Sequence, residues 1–306
     1  MVRVAKYIGT LLALGFIGYL FWRSSDQIPP VDFTAREVWL GLSGGLALYV
    51  ISQFVGAIAW RATLNIYDVH LPRGWAESQL LISQIGKYVP GNVTQFIGRA
   101  FLARADGVRG AAIAGALLLE IGFLFSAAAL AFGAVLLIAP DFLSGLTAGL
   151  PDGGLMGRGV ALGAGVLVCV ALGQFICWRR AGSPPFVTAR FVKPVLLHLV
   201  NFAILGVSLW CVTTVTAPQI AIGIPHCIAI FTTAWLAGFL MPGAPGGVGV
   251  RDGIIAIGLE LFVMPGAALG AAILHRALSV LGDVGIFGMG LALRRAQKVE
   301  PQLEAR

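Results

Sequence analysis

The sequence predicts an all-α polytopic membrane protein with roughly seven to nine membrane segments, each of about 20 residues. Three observations lead there. The 306 residues are 58% hydrophobic and only 11% charged, and the mean hydropathy is +0.88. The apolar residues also gather into long runs separated by short polar connections. In hydrocarbon, a helix satisfies its backbone donors and acceptors internally, so such runs are read as helices. The chain 1–306 reads as one integral membrane domain. An N-terminal half covers 5–140, a C-terminal half covers 158–293, and 294–306 is a short cytoplasmic tail.

The first span is Tyr7 to Trp22. Arg3 and Lys6 precede it, as bases precede a secretory signal, but "FWRSSDQIPPVDF" contains no small-x-small cleavage site, so the helix is read as a retained anchor. Val38 to Trp60 is the second. An apolar but interrupted segment follows at 76–104, then Gly110 to Ile138, Gly159 to Trp178, Val192 to Val215 and Ile222 to Leu240. A second interrupted segment occupies 251–264, and Ala267 to Leu293 closes the series. Each interrupted segment spans, half-spans or re-enters.

Orientation follows from where Lys and Arg collect. Arg3 and Lys6, then Arg61 and Arg73, then Arg99, Arg104 and Arg109 mark cytoplasmic regions. The 140–157 connection carries Asp141 and Asp152, whereas Arg179, Arg180, Arg190 and Lys193 share one loop. Arg294, Arg295 and Lys298 then place the C-terminus inside if 222–240 descends and 251–264 returns. The net charge of +7 thus reflects topology and attraction to anionic lipid, and no nucleic-acid module is expected.

Other chemistries find little support. Cys169, Cys177, Cys211 and Cys227 fall in spans without metal-ligand spacing and are read as small packing residues. His70, His198, His226 and His275 are scattered. There is no G-x-S-x-G elbow and no P-loop, so neither metal nor cofactor is expected.

The informative residues lie in the interrupted segments. "FLMPGAPGGVGVRDG" should unwind, because Pro242 and Pro245 lack an amide donor and Gly243, Gly246, Gly247 and Gly249 permit positive φ. A polar loop between two short helices is the plainer alternative. "GKYVPGNVTQFIGR" breaks in the same way: Gly86, Pro90, Gly91 and Arg99 follow G-x3-P-G-x7-R, and Gly238, Pro242, Gly243 and Arg251 repeat it 152 residues later. Paired interruptions in corresponding positions of two halves point to a transporter-type site between internal repeats.

Charge strengthens the point, since an ionisable group at membrane depth needs a partner or a cavity. Glu120 lies deep in "ALLLEIGFLF" and needs a cation, for which Arg99, Arg251 and Arg276 are candidates. Arg276, Ser279 and Asp283 share a helix face by spacing; they either serve the site or hold helices together. Lys87 and Tyr88 are either site residues or an interfacial anchor. Arginine forks and exposed amides suit phosphate, so a lipid headgroup is the expected ligand. Arg99 and Arg251 are then the phosphate contacts, with Glu120, Asp252 and Asp283 as counter-charges.

At these same residues the chain resembles a known family. "IGKYVPGNVTQFIGRAFLARADG" and "MPGAPGGVGVRDG" resemble the transmembrane region of the lysylphosphatidylglycerol synthase family, also called flippase-like membrane proteins. Gly86, Lys87, Tyr88, Pro90, Gly91, Gln95, Gly98 and Arg99 carry the first block, and Pro245, Gly246, Gly247, Gly249, Arg251 and Asp252 the second. The resemblance implies a multi-pass protein of the bacterial inner membrane that translocates an anionic phospholipid, an aminoacyl-phospholipid or a polyprenyl-phosphate-linked lipid. After Leu293 only "RRAQKVEPQLEAR" remains, so the family's aminoacyltransferase domain is expected to be missing and lysyl transfer is not carried over. The rivals are an intramembrane enzyme acting on lipid phosphates and a scaffold for a lipid synthase or glycosyltransferase. "GLSGG" and "GDVGIFGMG" offer small-residue faces for packing within a subunit or in a homo-oligomer.

Overall fold

A computed structural model of the chain describes residue 22 and residues 29–89, 93–139, 189–220, 222–241 and 245–304. The expected spans Tyr7 to Trp22 and Gly159 to Trp178, Cys169 and Cys177, and the site candidates Pro90, Gly91, Pro242 and Gly243 lie outside the described residues or, for the first span, almost wholly so. Among the described residues the protein is helical. In order it forms α1 (Arg36–Ile66), α2 (Trp75–Ser83), a 3-10 turn (Gln84–Tyr88), α3 (Thr94–Ala105) and α4 (Gly110–Ile138). Then come α5 (Ala189–Thr216), α6 (Ile224–Leu240), a second 3-10 turn (Pro245–Gly247), α7 (Val250–Leu259) and α8 (Pro265–Glu304). Among the described residues, four helices are long and apolar enough to cross a bilayer, within Arg36–Ile66, Gly110–Ile138, Arg190–Thr216 and Pro265–Gln297. The protein is therefore an all-α, multi-pass membrane protein. Helix α8 runs through the stretch read from sequence as a tail, as far as Glu304.

The interrupted segment 76–104 is a helical hairpin. Segment 251–264 supplies only one arm of a second hairpin, whose other arm is α6, read from sequence as the full span Ile222 to Leu240 but only 17 residues long. Helices α2, α3 and α7 have nine, twelve and ten residues, too short at about 1.5 Å per residue to cross a core of about 30 Å. In the first hairpin Gly86 lies on the backbone of Thr94 and Gln95, and Gly98 lies on Ser83, so the arms α2 and α3 run antiparallel. In the second, Gly238 lies on Gly247 and Arg251, and Gly258 lies on Ile230, so α6 and α7 do the same. Pro225 sits in the first turn of α6 and Pro265 opens α8, positions where a missing amide donor costs nothing.

The 152-residue offset seen in the motif extends to the described helices from α1 to α8. It carries α1 onto 188–218, α2 into α6, α3 onto 246–257 and α4 onto 262–290, where α5, α6, α7 and α8 stand. Packing repeats as well. Helix α2 lies on α8 as α6 lies on α4, α1 touches α8 as α5 touches α4, and α1–α2 matches α5–α6. The equivalent helices α1 and α5 run in opposite directions: Gly41 faces Val215, Gly45 faces Val212 and Ser208, and Gly56 faces Asn201. Ser208 Oγ donates to the Gly45 carbonyl across this seam at 2.8 Å. The halves are thus inverted repeats, a relation the sequence left open.

The "GLSGG" glycines Gly41 and Gly45 are spent inside the subunit, in this α1–α5 contact. The main apolar core lies among α4, α5, α6, α7 and α8, with Phe202, Leu209, Phe231, Ile255 and Ala268 almost wholly enclosed. A second cluster joins Trp60, Leu80, Leu81 and Ile286. Large apolar residues such as Leu118, Leu196 and Val284 remain exposed on the outer helix faces, as expected of surfaces that meet acyl chains.

Candidate functional site

The two hairpin tips meet. Gly246 adopts φ +57°, and a Cβ placed there would lie 3.4 Å from the Lys87 carbonyl oxygen and 3.5 Å from Arg276 Nη2. Glycine keeps that conformation without the usual steric penalty, and the two distances are ordinary packing contacts, so it is the backbone conformation that calls for glycine here. Helix α8 secures both. Arg276 Nη1 donates to the Gly246 carbonyl at 3.1 Å, and its guanidinium lies 5.8 Å from the centre of the Tyr88 ring. Two turns further along α8, Asp283 is fully buried and accepts from Lys87 Nζ at 2.9 Å, from Tyr49 Oη at 2.8 Å and from Tyr88 Oη. Lys87 Nζ also donates to Tyr49 Oη at 2.9 Å.

Beside the joined tips lies a cavity of about 130 Å³. Its polar lining comes from both hairpins and from the helices that cradle them: Lys87, Gln95, Arg99, Glu120, His198 and Arg251 among others, with Gly246 and Gly247 in the wall. Trp235, Phe239 and Phe96 form an aromatic side, with Trp235 and Phe239 stacked at 5.2 Å and Phe96 edge-on to Phe239 at 6.1 Å.

Arg99 and Arg251 stand at equivalent positions of the two repeats, and both are buried, 2% and 8% exposed. Each lies over an aromatic face, Arg99 at 4.9 Å from the Trp60 ring and Arg251 at 5.1 Å from the Phe231 ring. Their charges are treated differently. Arg99 Nη1 donates to both carboxylate oxygens of Glu120, so the cation that Glu120 demanded is Arg99. The position equivalent to Glu120 in the second repeat is Ala272. Among the described residues no carboxylate lies within ion-pair distance of Arg251. Its Nε and Nη2 have no hydrogen-bond partner, nor do Arg99 Nε, Asn201 Oδ1 or either ring nitrogen of His198. Orphaned buried polar atoms around one cavity are costly unless something fills it.

The counter-charge scheme drawn from sequence needs correction. Asp283 serves Lys87, not Arg99 or Arg251. Asp252 accepts from the Gly249 amide at 3.3 Å and lies 3.9 Å from Arg276. The reason is geometric: in α7 the side chain of Asp252 turns back to the positive-φ Gly249 at the helix start, away from its neighbour Arg251. Arg276 and Asp283 share a face of α8 but do not pair with each other; they reach different hairpins. Of the remaining candidates, Gln95 and Gly247 line the cavity, whereas Gly249 shapes the start of α7 behind it.

Sequence reasoning passed over Tyr49, Gln53, His198 and Asn201, which line the cavity from α1 and α5. The available signal was polarity in the middle of an apolar span. It also read Arg294 only as a topology marker. Arg294 instead donates to Asp106 Oδ2 at 3.0 Å, beside Gln79 Nε2 at 2.7 Å, and Gln79 Oε1 accepts from Trp60 Nε1 at 2.9 Å. This chain of bonds fixes the ring on which Arg99 rests. Among the described residues no His, Cys, Asp and Glu cluster could hold a metal. The chain matches no protein-family model and no curated protein.

Proposed function

We propose that this protein is a lipid translocator that moves an anionic phospholipid, an aminoacyl-phospholipid or a polyprenyl-phosphate lipid between leaflets, with the headgroup passing through the cavity between the hairpins. The observation that carries the reading is Arg251, a buried arginine with an uncompensated charge and two unused donors, in the lining of a partly open cavity inside a membrane protein. A phosphate supplies the missing negative charge and accepts the orphaned N–H groups. Arg99, already shared with Glu120, is a second and weaker contact, and competition from Glu120 gives the phosphate a route of release. Inverted repeats with their broken segments in contact support transport, because alternating access uses two such halves around one site.

The resemblance to the lysylphosphatidylglycerol synthase transmembrane family belongs to the same proposal, as does a place in the bacterial inner membrane with both termini cytoplasmic. Hairpin geometry supports that orientation: each hairpin returns to the side it came from, so the basic connections at 61–73 and 99–109 share one face. We assign the protein no covalent chemistry.

The test is leaflet exchange in liposomes carrying the purified protein and headgroup-labelled phospholipids or polyprenyl-phosphate analogues. Acceleration by wild type that is lost in Arg99→Ala and Arg251→Ala supports the reading. Folded protein that accelerates no lipid overturns it, and altered lipid masses after incubation would show an enzyme instead.

A further inference from the structure

We infer that the cavity selects a phosphate diester whose polar end carries uncharged hydroxyl donors, and that it excludes headgroups bearing an ammonium. The inference rests on reading the cavity as a headgroup site, and it divides the headgroups which that reading leaves open.

Charge is the first ground. The cations around the cavity are Lys87, Arg99 and Arg251, and the carboxylate in its lining is Glu120. Both oxygens of Glu120 are taken by Arg99. Asp283, nearby, is filled by Lys87, Tyr49 and Tyr88. Neither of these two carboxylates is left for an incoming ammonium, and Asp252, whose Oδ1 has no hydrogen-bond partner, lies outside the cavity lining beside Arg276, while one cation, Arg251, remains unpaired among the described residues. At an effective dielectric well below that of water, an added positive charge beside this one uncompensated cation is disfavoured, and one negative charge is favoured.

Aromatic faces give the second ground, because they are the other means of holding an ammonium. Those nearest the cavity are already occupied by the protein's own cations. Arg99 lies over Trp60 and Phe96, Arg251 over Phe231, and Lys87 over Tyr49 and Tyr88. Trp235 and Phe239 stack on each other, which covers one face of each ring.

The unused hydrogen-bonding atoms supply the third. Arg99 Nε and Arg251 Nε and Nη2 are donors and call for phosphate oxygens. Asn201 Oδ1 is an acceptor, which a phosphate oxygen cannot satisfy. A hydroxyl donates to it, and can also donate to or accept from the His198 ring. The ligand therefore carries acceptors and donors together and, since an ammonium is disfavoured on charge, its donors are hydroxyls, as in a glycerol or another short polyol on phosphate.

The same chemistry occurs in phosphatidylglycerol and in free glycerol phosphate, so two arms are needed. In the first, liposomes containing the full chain are loaded with tail-labelled phosphatidylglycerol, phosphatidic acid, phosphatidylethanolamine or lysyl-phosphatidylglycerol, and leaflet exchange is timed for each. Phosphatidylglycerol is expected to move at least about tenfold faster than the two amine lipids, with Asn201→Leu narrowing its lead over phosphatidic acid. A tenfold ratio corresponds to about 1.4 kcal/mol. Exchange of either amine lipid as fast as phosphatidylglycerol overturns the inference but leaves translocation standing. In the second arm, detergent-purified protein of unchanged melting temperature is titrated calorimetrically with glycerol 3-phosphate and with phosphorylethanolamine. Preference for glycerol 3-phosphate, lost in Arg251→Ala, upholds the selectivity even if no lipid moves; equal binding, or none, overturns it.

Discussion

Arg276 and Asp283 stand two turns apart on one face of α8, and each holds a different hairpin tip. Arg276 binds the backbone of the second tip at Gly246, and Asp283 binds Lys87 and Tyr88 of the first. One rigid helix thereby sets the distance between two pieces of irregular backbone, and so sets the width of the cavity beside them.

The Asp283 cluster is expected to behave as a buried pair. Asp283→Leu alone strands Lys87 and should cost about 3–5 kcal/mol, whereas Lys87→Met with Asp283→Leu should recover much of that loss. A double-mutant cycle from chemical unfolding in detergent checks it. Additive single-mutant costs would mean that the two residues act independently.

Glu120→Gln releases Arg99 from its carboxylate and leaves two buried cations facing the cavity. Binding of an anionic headgroup is expected to tighten by about tenfold or more, one to two kcal/mol, while turnover slows because release is impaired. Dissociation constants and exchange rates on the same preparation should move in opposite senses. If both fall together, Glu120 only supports the fold.

Gly247 and Gly107 separate steric contact from backbone conformation. Both have positive φ, +69° and +85°. A Cβ at 247 would lie 3.3 Å from Arg251 Cβ, whereas at 107 nothing lies within 4 Å. Gly107→Ala should cost only the left-handed backbone term of about 1–2 kcal/mol. Gly247→Ala should cost more and also weaken phosphate binding by displacing Arg251. Equal losses in melting temperature and unchanged binding would show that the tight packing of Gly238, Gly247 and Arg251 has no bearing on the site.

Asp106 ties α3 to α8 and α2 through Arg294 and Gln79, with its side chain 2% exposed. Asp106→Ala leaves a partly buried arginine and a buried amide without acceptors and is expected to lose about 3 kcal/mol or more. Because Gln79 also orients Trp60, which is fully buried beneath Arg99, the emission of this tryptophan should shift in a variant that keeps Trp60 as its sole tryptophan. No shift on adding Asp106→Ala would disconnect this network from the site.

Much of the architecture was legible in the sequence because hydrocarbon imposes one rule along the whole chain. The Gly110 to Ile138 span coincides with α4, and the pairing of Gly86 with Gly238 and of Arg99 with Arg251 pointed to two related interruptions. What could not be read were facts of direction and reach. Inversion depends on α1 passing α5 head to tail, which no local pattern encodes. Glu120 needed a cation, but the choice among three arginines depended on which helix faced it. Asp252 was adjacent in sequence to Arg251 and turned away from it, toward its own helix start. Tyr49 and Asn201 were hidden by their apolar neighbours, since hydropathy averages over a window that dilutes one polar side chain.

The crossing of contacts between halves carries a consequence for how the chain is made. Helix α2 rests on α8 and α6 on α4, so neither half encloses its own hairpin. The first hairpin emerges from the ribosome well before its seat, which is the last of the described helices in chain order. Until α8 inserts, Lys87 and Tyr88 lack their carboxylate and Asp106 lacks its arginine. The nascent protein must therefore carry an open, polar hairpin until α8 is made, and the insertion of that helix locks both halves at once.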